Sequence, residues 1–302
     1  FVFDDRGIID HYELLKNPFE LKQIFSLPYW TPEAGLYRPV TLLTYSFNFL
    51  FLGTSPFGFH LVNILIYGFI CFLIYKLLFQ LFGDKKQAFL SGLIFLLLPI
   101  HTEVVANIIG RAELLALLFS LLLLLEFIKE KINLWKLGLF IFLAIASKET
   151  AIAIFPIALL VLYMKEKDAQ RTISGLFHKY LYPALSLILG ASFYFIFRLF
   201  VLGPDYFLGI QTSIVENPLI TLDWLSRFST ALSVFSMYVQ KSFWPFGLCS
   251  DYSFNQIQII SNIFNLQALI GLMILVLASV SIFVFIRKIP AWTTLICAQN
   301  VQ

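Results

Sequence analysis

Two successive carboxylates, Asp4 and Asp5, followed at once by Arg6, open a chain that is otherwise poor in charge. Adjacent side chains diverge on any regular backbone, so at most one of the pair points at a reacting atom, where it can take a proton. The other orients it, binds a cation or touches another part of the site; two solvated loop carboxylates are the competing reading. A second set lies in 99–113, PIHTEVVANIIGRAE. Read as one helix, it puts Glu103, Asn107 and Arg111 at i, i+4 and i+8 on one face, flanked by His101 and Glu113. A charge facing lipid costs on the order of 2.5–3.5 kcal/mol near the bilayer centre, so this segment avoids lipid. It is either an external loop with a Glu103–Arg111 ion link or the polar wall of a cavity. In the second case Arg111 or His101 is free to meet a phosphate, with the carboxylates fixing them.

A third set, Ser147-Lys148-Glu149-Thr150, sits between two short apolar runs. Lys148 there either neutralises a phosphate whose lipid tail lies among the helices or snorkels from a helical hairpin. Tyr37-Arg38-Pro39 adds a further cation, and His60 with Asn63 share a helical face at i, i+3, a pattern that fits capping and packing before catalysis. The polar-aromatic turn at 248–254, LCSDYSF, pairs no nucleophile with a base. The chain has no GxGxxG, P-loop or Ser/His/Asp order, which removes the footing for ATP-driven and hydride-transfer chemistry.

The elements that must position these groups are read from composition. Of 302 residues, 59% are hydrophobic and only 13% charged, with a mean hydropathy of +0.85. This is the composition of an all-α polytopic membrane protein. The formal charge of +3 is small and its Lys and Arg residues sit between apolar runs, so it speaks to topology and not to nucleic acid. Cys71 and Cys297 lie in apolar segments and Cys249 stands alone, which suggests neither a disulfide framework nor a metal site. No basic n-region or signal core precedes Phe1, which reads as the end of a span begun earlier, so the chain reads as a fragment.

Residues 1–58 are punctuated by Pro18, Pro28, Pro32 and Gly35 and read as an external loop, within which 39–52 is a 14-residue interfacial helix. Apolar runs follow at 60–82, 87–100, 112–128, 134–147, 150–164, 180–202 and 266–286. Between them the basic connections are Lys85-Lys86, Lys129-Glu130-Lys131, Lys165 to Arg171, and Arg287-Lys288. Placing these inside leaves 1–58, 101–111, 147–150 and 203–265 outside, with 226–246 as a surface helix. The domain reading is therefore a first external loop (1–58), transmembrane helices (59–202), a second external loop (203–265) and a last span leading into 266–302. Runs of fourteen residues cover roughly 21 Å of a ~30 Å hydrocarbon core, so the shorter helices must dip, tilt or line a cavity.

In order along the chain, FVFDD, YRPVTLLTYSFNFLF, FHLVNIL, PIHTEVVANIIGRAELLA, SKETA, and NPL followed by LCSDYSFNQI resemble the transmembrane and tetratricopeptide-repeat O-mannosyltransferases and their prokaryotic relatives. That group lies in the C-type glycosyltransferase superfamily, and the resemblance runs over nearly all of 1–290. It implies the C-type fold with a helical external loop, a polyprenyl-phosphate sugar donor (dolichyl-phosphate mannose in eukaryotic relatives), and transfer to Ser or Thr hydroxyls of a protein acceptor. It further implies Asp4 as the base and Asp5 as its auxiliary, in a single inverting displacement. Arg38, His60, His101, Glu103, Arg111, Glu113, Lys148 and Glu149 become the donor-binding residues. Leu98 departs from the pattern, since many relatives carry a His before the Pro there. No cofactor is implied with certainty, and assistance by a divalent cation is left open. The expected setting is a bacterial inner membrane or an endoplasmic reticulum membrane, with the site on the extracytoplasmic or lumenal side. Rival readings are a C-type enzyme acting on a lipid or glycan acceptor, and a transporter or non-catalytic membrane scaffold.

Overall fold

The computed structural model describes residue 5 and residues 12–165, 173–207, 217–247 and 256–299. Asp4, the Glu166-to-Arg171 stretch of one basic connection and the 248–254 turn lie outside the described residues. Among the described residues the α-helices longer than four residues are α1 (Pro39–Leu52), α2 (Pro56–Phe82), α3 (Lys85–Leu97), α4 (His101–Ala106), α5 (Arg111–Phe127), α6 (Leu134–Ser147), α7 (Ile154–Lys165), α8 (Ile173–Leu202), α9 (Trp224–Phe243) and α10 (Leu266–Gln299). Among the described residues there is no strand. The fold is all-α.

Local chemistry sets the boundaries. α1 and α2 each begin with proline at the first helical position, where the missing N–H is no loss. α2 ends at Gly83, whose φ of 75° allows its N–H to close on the Phe79 carbonyl at 2.8 Å. Asn133 caps α6 by accepting from the Lys136 N–H at 3.1 Å. Among the described residues three helices are long and apolar enough to cross a membrane: Pro56–Phe82, Lys179–Leu202 and Leu266–Val284. Pro39–Leu52, Leu134–Ser147 and Glu149–Val161 are apolar but shorter.

The chain divides into two compact units, one of residues 1–97 with 101–210, the other of 98–100 with 211–302. In the second, α9 packs on α10, and Gly271 admits the Leu232 carbonyl so closely that a Cβ there would lie 2.0 Å from it. In the first, α5 is apolar around most of its circumference and is buried accordingly, between α2 and α6. α6 packs in turn on α8, where Gly190 meets the Gly138 carbonyl; a Cβ at 190 would lie 2.3 Å from that oxygen. A second core, of Leu15, Ile24, Tyr29, Leu42, Tyr45, Phe49, Phe59 and Ile108, folds the early segment onto α1 and the start of α2.

The single helix expected over 99–113 is not formed. α4 stops at Ala106, the chain turns through 107–110, and α5 starts afresh at Arg111. Asn107 Oδ1 accepts from the Ile109 N–H at 3.3 Å, a local turn bond that competes with the helix ladder. Gly110 then lies so close to Val104 that an added Cβ would fall 2.2 Å from its carbonyl oxygen. Glu103 and Arg111 consequently do not share a face: Glu103 is exposed and Arg111 is enclosed.

Candidate functional site

The polar residues of the first unit gather where the N-termini of α1 and α5 meet the C-terminus of α6 and the last turns of α8. Pro39 and Thr41 start α1, and the Thr41 hydroxyl donates to the Ser147 carbonyl at 2.9 Å, both residues fully buried. α6 ends at Ser147, Lys148 takes an extended conformation, and a 3-10 turn, Glu149–Ala153, follows. That break is what turns Lys148 and Glu149 in different directions from adjacent positions.

Glu149 is the hub. Its Oε2 accepts from Arg38 Nε at 3.0 Å, while its Oε1 accepts from an Arg198 terminal nitrogen at 3.2 Å and from the Tyr37 N–H, also at 3.2 Å. Tyr194 reinforces the contact by donating to the Tyr37 carbonyl at 3.0 Å. The Arg38 guanidinium lies 4.9 Å from the centre of the Tyr29 ring. Burial works against its charge, but Glu149 and then Tyr29 outweigh it and hold the Arg38 pKa above the usual value. Burial also pushes the Tyr29 phenol up to about 12, so that ring faces Arg38 neutral at ordinary pH.

Lys148 pairs with Glu113, and this pair stands more open to solvent: the two side chains are 21% and 41% exposed. Among the described residues the Lys148 ammonium has no other hydrogen-bond partner. Arg38 also keeps donors in reserve: among the described residues its side chain bonds through Nε, and the two terminal nitrogens have no described acceptor.

Arg111 is different. It is 0% exposed. Its Nε donates to Asn63 Oδ1 at 2.9 Å, one terminal nitrogen to Asn48 Oδ1 at 3.1 Å and the Phe59 carbonyl at 3.0 Å, the other to the Thr44 carbonyl at 3.4 Å. The Tyr45 and Phe59 rings cover its faces, with the guanidinium carbon 4.7 and 5.5 Å from their centres. Burial pushes its pKa down to about 10, which leaves it a cation at neutral pH. Arg111 joins α1, α2 and α5 as a strut, with its donors turned to protein acceptors.

The remaining expected residues separate from this cluster or join it loosely. Asp5 is 5% exposed and close enough to Tyr45 for its charge to help raise the Tyr45 phenol, after the larger effect of burial. His60, near the start of α2, is half-buried, and its ring makes no hydrogen bond to the described residues. Its neighbour Asn63 is fully buried, holding Arg111 and donating to the Asn107 carbonyl at 3.0 Å. His101 faces the α2–α3 pair, with Nδ1 2.9 Å from both the Tyr67 hydroxyl and the Phe95 carbonyl. Glu103 is exposed on α4. Among the described residues no three His, Cys, Asp or Glu side chains gather as a metal site. Arg198 is the residue that sequence reasoning passed over; its signal was only an arginine near the end of an apolar run.

A family model described as dolichyl-phosphate-mannose-protein mannosyltransferase matches residues 38–195, a segment that contains Arg38, Arg111, Lys148, Glu149 and Tyr194. Similar curated proteins include a protein O-mannosyl-transferase of Caenorhabditis elegans, 29% identical over 93% of this chain and 40% of its own length. The protein O-mannosyl-transferase TMTC4 of Mus musculus is 30% identical over 87% of this chain and 42% of its own length. Tmtc2 of Drosophila melanogaster, of the same description, is 32% identical over 72% of this chain and 24% of its own length. The chain thus spans less than half the length of each of these relatives. No solved structure matches.

Proposed function

The chain belongs to the dolichyl-phosphate-mannose-protein mannosyltransferase family, and from that premise we propose that it is the membrane-embedded part of a multi-pass glycosyltransferase. In this reading it moves mannose from a polyprenyl-phosphate donor to Ser or Thr hydroxyls of a protein acceptor. Its site lies on the extracytoplasmic or lumenal side, in a bacterial inner membrane or the endoplasmic reticulum. The observation that carries the reading is the convergence of Arg38, Lys148, Glu149 and Glu113 at the ends of α1, α5 and α6. A lipid phosphate entering there meets two cations with donors to offer, beside apolar helices that suit its tail.

The chemistry is a single inverting displacement. A carboxylate, Asp4, takes the proton of the acceptor hydroxyl while that oxygen bonds to the anomeric carbon. The bond from that carbon to the lipid-phosphate oxygen breaks, and the phosphate leaves with the electron pair. Asp5, held close to Tyr45 beside the Arg111 strut, orients the base. Arg38 and Lys148 stabilise the negative charge that grows on the departing phosphate, the place where fixed cations contribute most. The Glu149 network keeps Arg38 in position and costs no reorganisation during the reaction. Membranes containing the full-length protein are expected to transfer mannose from a polyprenyl-phosphate donor, with the product identified by mass as a Ser- or Thr-linked sugar on protein. A sugar found on lipid or glycan instead would reassign the acceptor, and no transfer would remove the enzymatic reading.

A further inference from the structure

Arg198 has no role in any expectation drawn from the sequence, yet it touches the segment that bears Arg38 directly at Gly35 and indirectly through Glu149 and Tyr194. One terminal nitrogen donates to the Gly35 carbonyl at 2.7 Å. The other reaches Glu149 Oε1 at 3.2 Å and the Tyr194 hydroxyl, also at 3.2 Å. Tyr194 in turn holds the Tyr37 carbonyl at 3.0 Å, and its ring stacks on that of Tyr37 with centres 5.8 Å apart. Arg38 meets the same carboxylate at the opposite oxygen, Oε2. The two arginines therefore fix Glu149 from its two sides, and Glu149 fixes Arg38 by its Nε alone.

We infer that Arg198 is a positioning residue for the donor phosphate: through Glu149 and the 35–38 backbone it aims the terminal nitrogens of Arg38, which have no acceptor among the described residues, at the ligand. The division of labour follows from the donors each arginine has left. Both terminal nitrogens of Arg198 are engaged with the protein and its side chain is 9% exposed, whereas Arg38, at 13%, has a described partner for Nε only. A planar fork anchored at Nε presents its two outer nitrogens in parallel, the geometry that grips two oxygens of one phosphate. Without Arg198, Glu149 keeps its bonds to Arg38 and to the Tyr37 N–H but loses the charged contact at Oε1.

The inference rests on the donor reading above, and its test separates the two. Binding of a short-chain polyprenyl phosphate to the detergent-solubilised full-length protein is compared with binding of the corresponding polyprenol. Wild type is expected to prefer the phosphate; no preference would overturn the donor reading and this inference with it. Given that preference, Arg198→Met is expected to weaken phosphate binding about tenfold, the scale of one charge-assisted contact, while leaving the alcohol unchanged. Arg38→Gln should give a similar loss, and the double variant no more than the larger single loss, since contacts that act through one another are not additive. Arg198→Lys keeps the buried cation where the Met variant fails to fold. It should show a smaller loss with the same coupling to Arg38. Losses that add across the two positions, equal losses for phosphate and alcohol, or unchanged phosphate binding in the Arg198 variants would each overturn the positioning role while leaving the donor reading in place.

Discussion

A guanidinium whose N–H groups are consumed by protein acceptors has little left for a ligand, and Arg111 is in that condition while Arg38 is not. Arg111 is a buried charge answered by neutral oxygens and two aromatic faces, an arrangement that stays favourable only while each acceptor remains in place. Asn63→Ala removes the acceptor of its Nε–H. Unfolding in detergent should show a loss of about 1.5–3 kcal/mol, the range for a hydrogen bond to a charged group; unchanged stability would contradict the strut. Lys148 tests the opposite case, because its partner Glu113 is half-exposed and so exchangeable. Glu113→Gln should free the ammonium and tighten polyprenyl-phosphate binding, measured by titration, whereas weaker binding would place Glu113 among the groups that hold the donor. None of these partnerships was readable in the sequence, which marks Arg111, Lys148 and Glu113 as conspicuous but says nothing about which oxygen each nitrogen meets. Arg198 was lost for the same reason: its partners Gly35 and Glu149 lie 163 and 49 positions away.

Helix positions were the most legible feature, because apolar runs bounded by Pro, Gly and charge dictate them directly. The runs read at 39–52 and 134–147 appear as Pro39–Leu52 and Leu134–Ser147, and 112–128 as Arg111–Phe127. The failure was at 107–110. Asn107 and Gly110 were the available turn signals, but the i, i+4, i+8 spacing of Glu103, Asn107 and Arg111 pointed to a continuous helix, and tertiary packing of Gly110 on Val104 decided otherwise. Helix contacts also give two glycines opposite expectations. Gly190 sits against the Gly138 carbonyl, so Gly190→Ala must part α6 from α8, at a cost of about 1–3 kcal/mol. Gly68, on α2, has nothing within 4 Å of where a Cβ would stand, and Gly68→Ala should stabilise by about 0.4–1 kcal/mol through the unfolded chain. Thermal unfolding of the two variants side by side reads both signs. Equal effects would show that the α6–α8 crossing does not depend on close backbone approach.

At the scale of the molecule, the first unit sets a deeply packed α5 among helices whose outer faces are apolar, and gathers two partly exposed ion pairs at one set of helix ends. Composition made the all-α membrane class legible, since 59% hydrophobic residues leave little else. Among the described residues three helices have the length and apolarity to span, and the shorter apolar ones depend on their neighbours to do so. The site reading depends on the helix ends acting together with the acidic pair at Asp4 and Asp5. The most direct measurement is mannose transfer from a polyprenyl-phosphate donor by membranes bearing the full-length protein, compared with its Asp4→Asn variant at equal membrane insertion. Loss of a positioned carboxylate base should lower transfer by about 10²–10⁴-fold with insertion unchanged. Transfer by the variant at close to the wild-type rate would contradict the account.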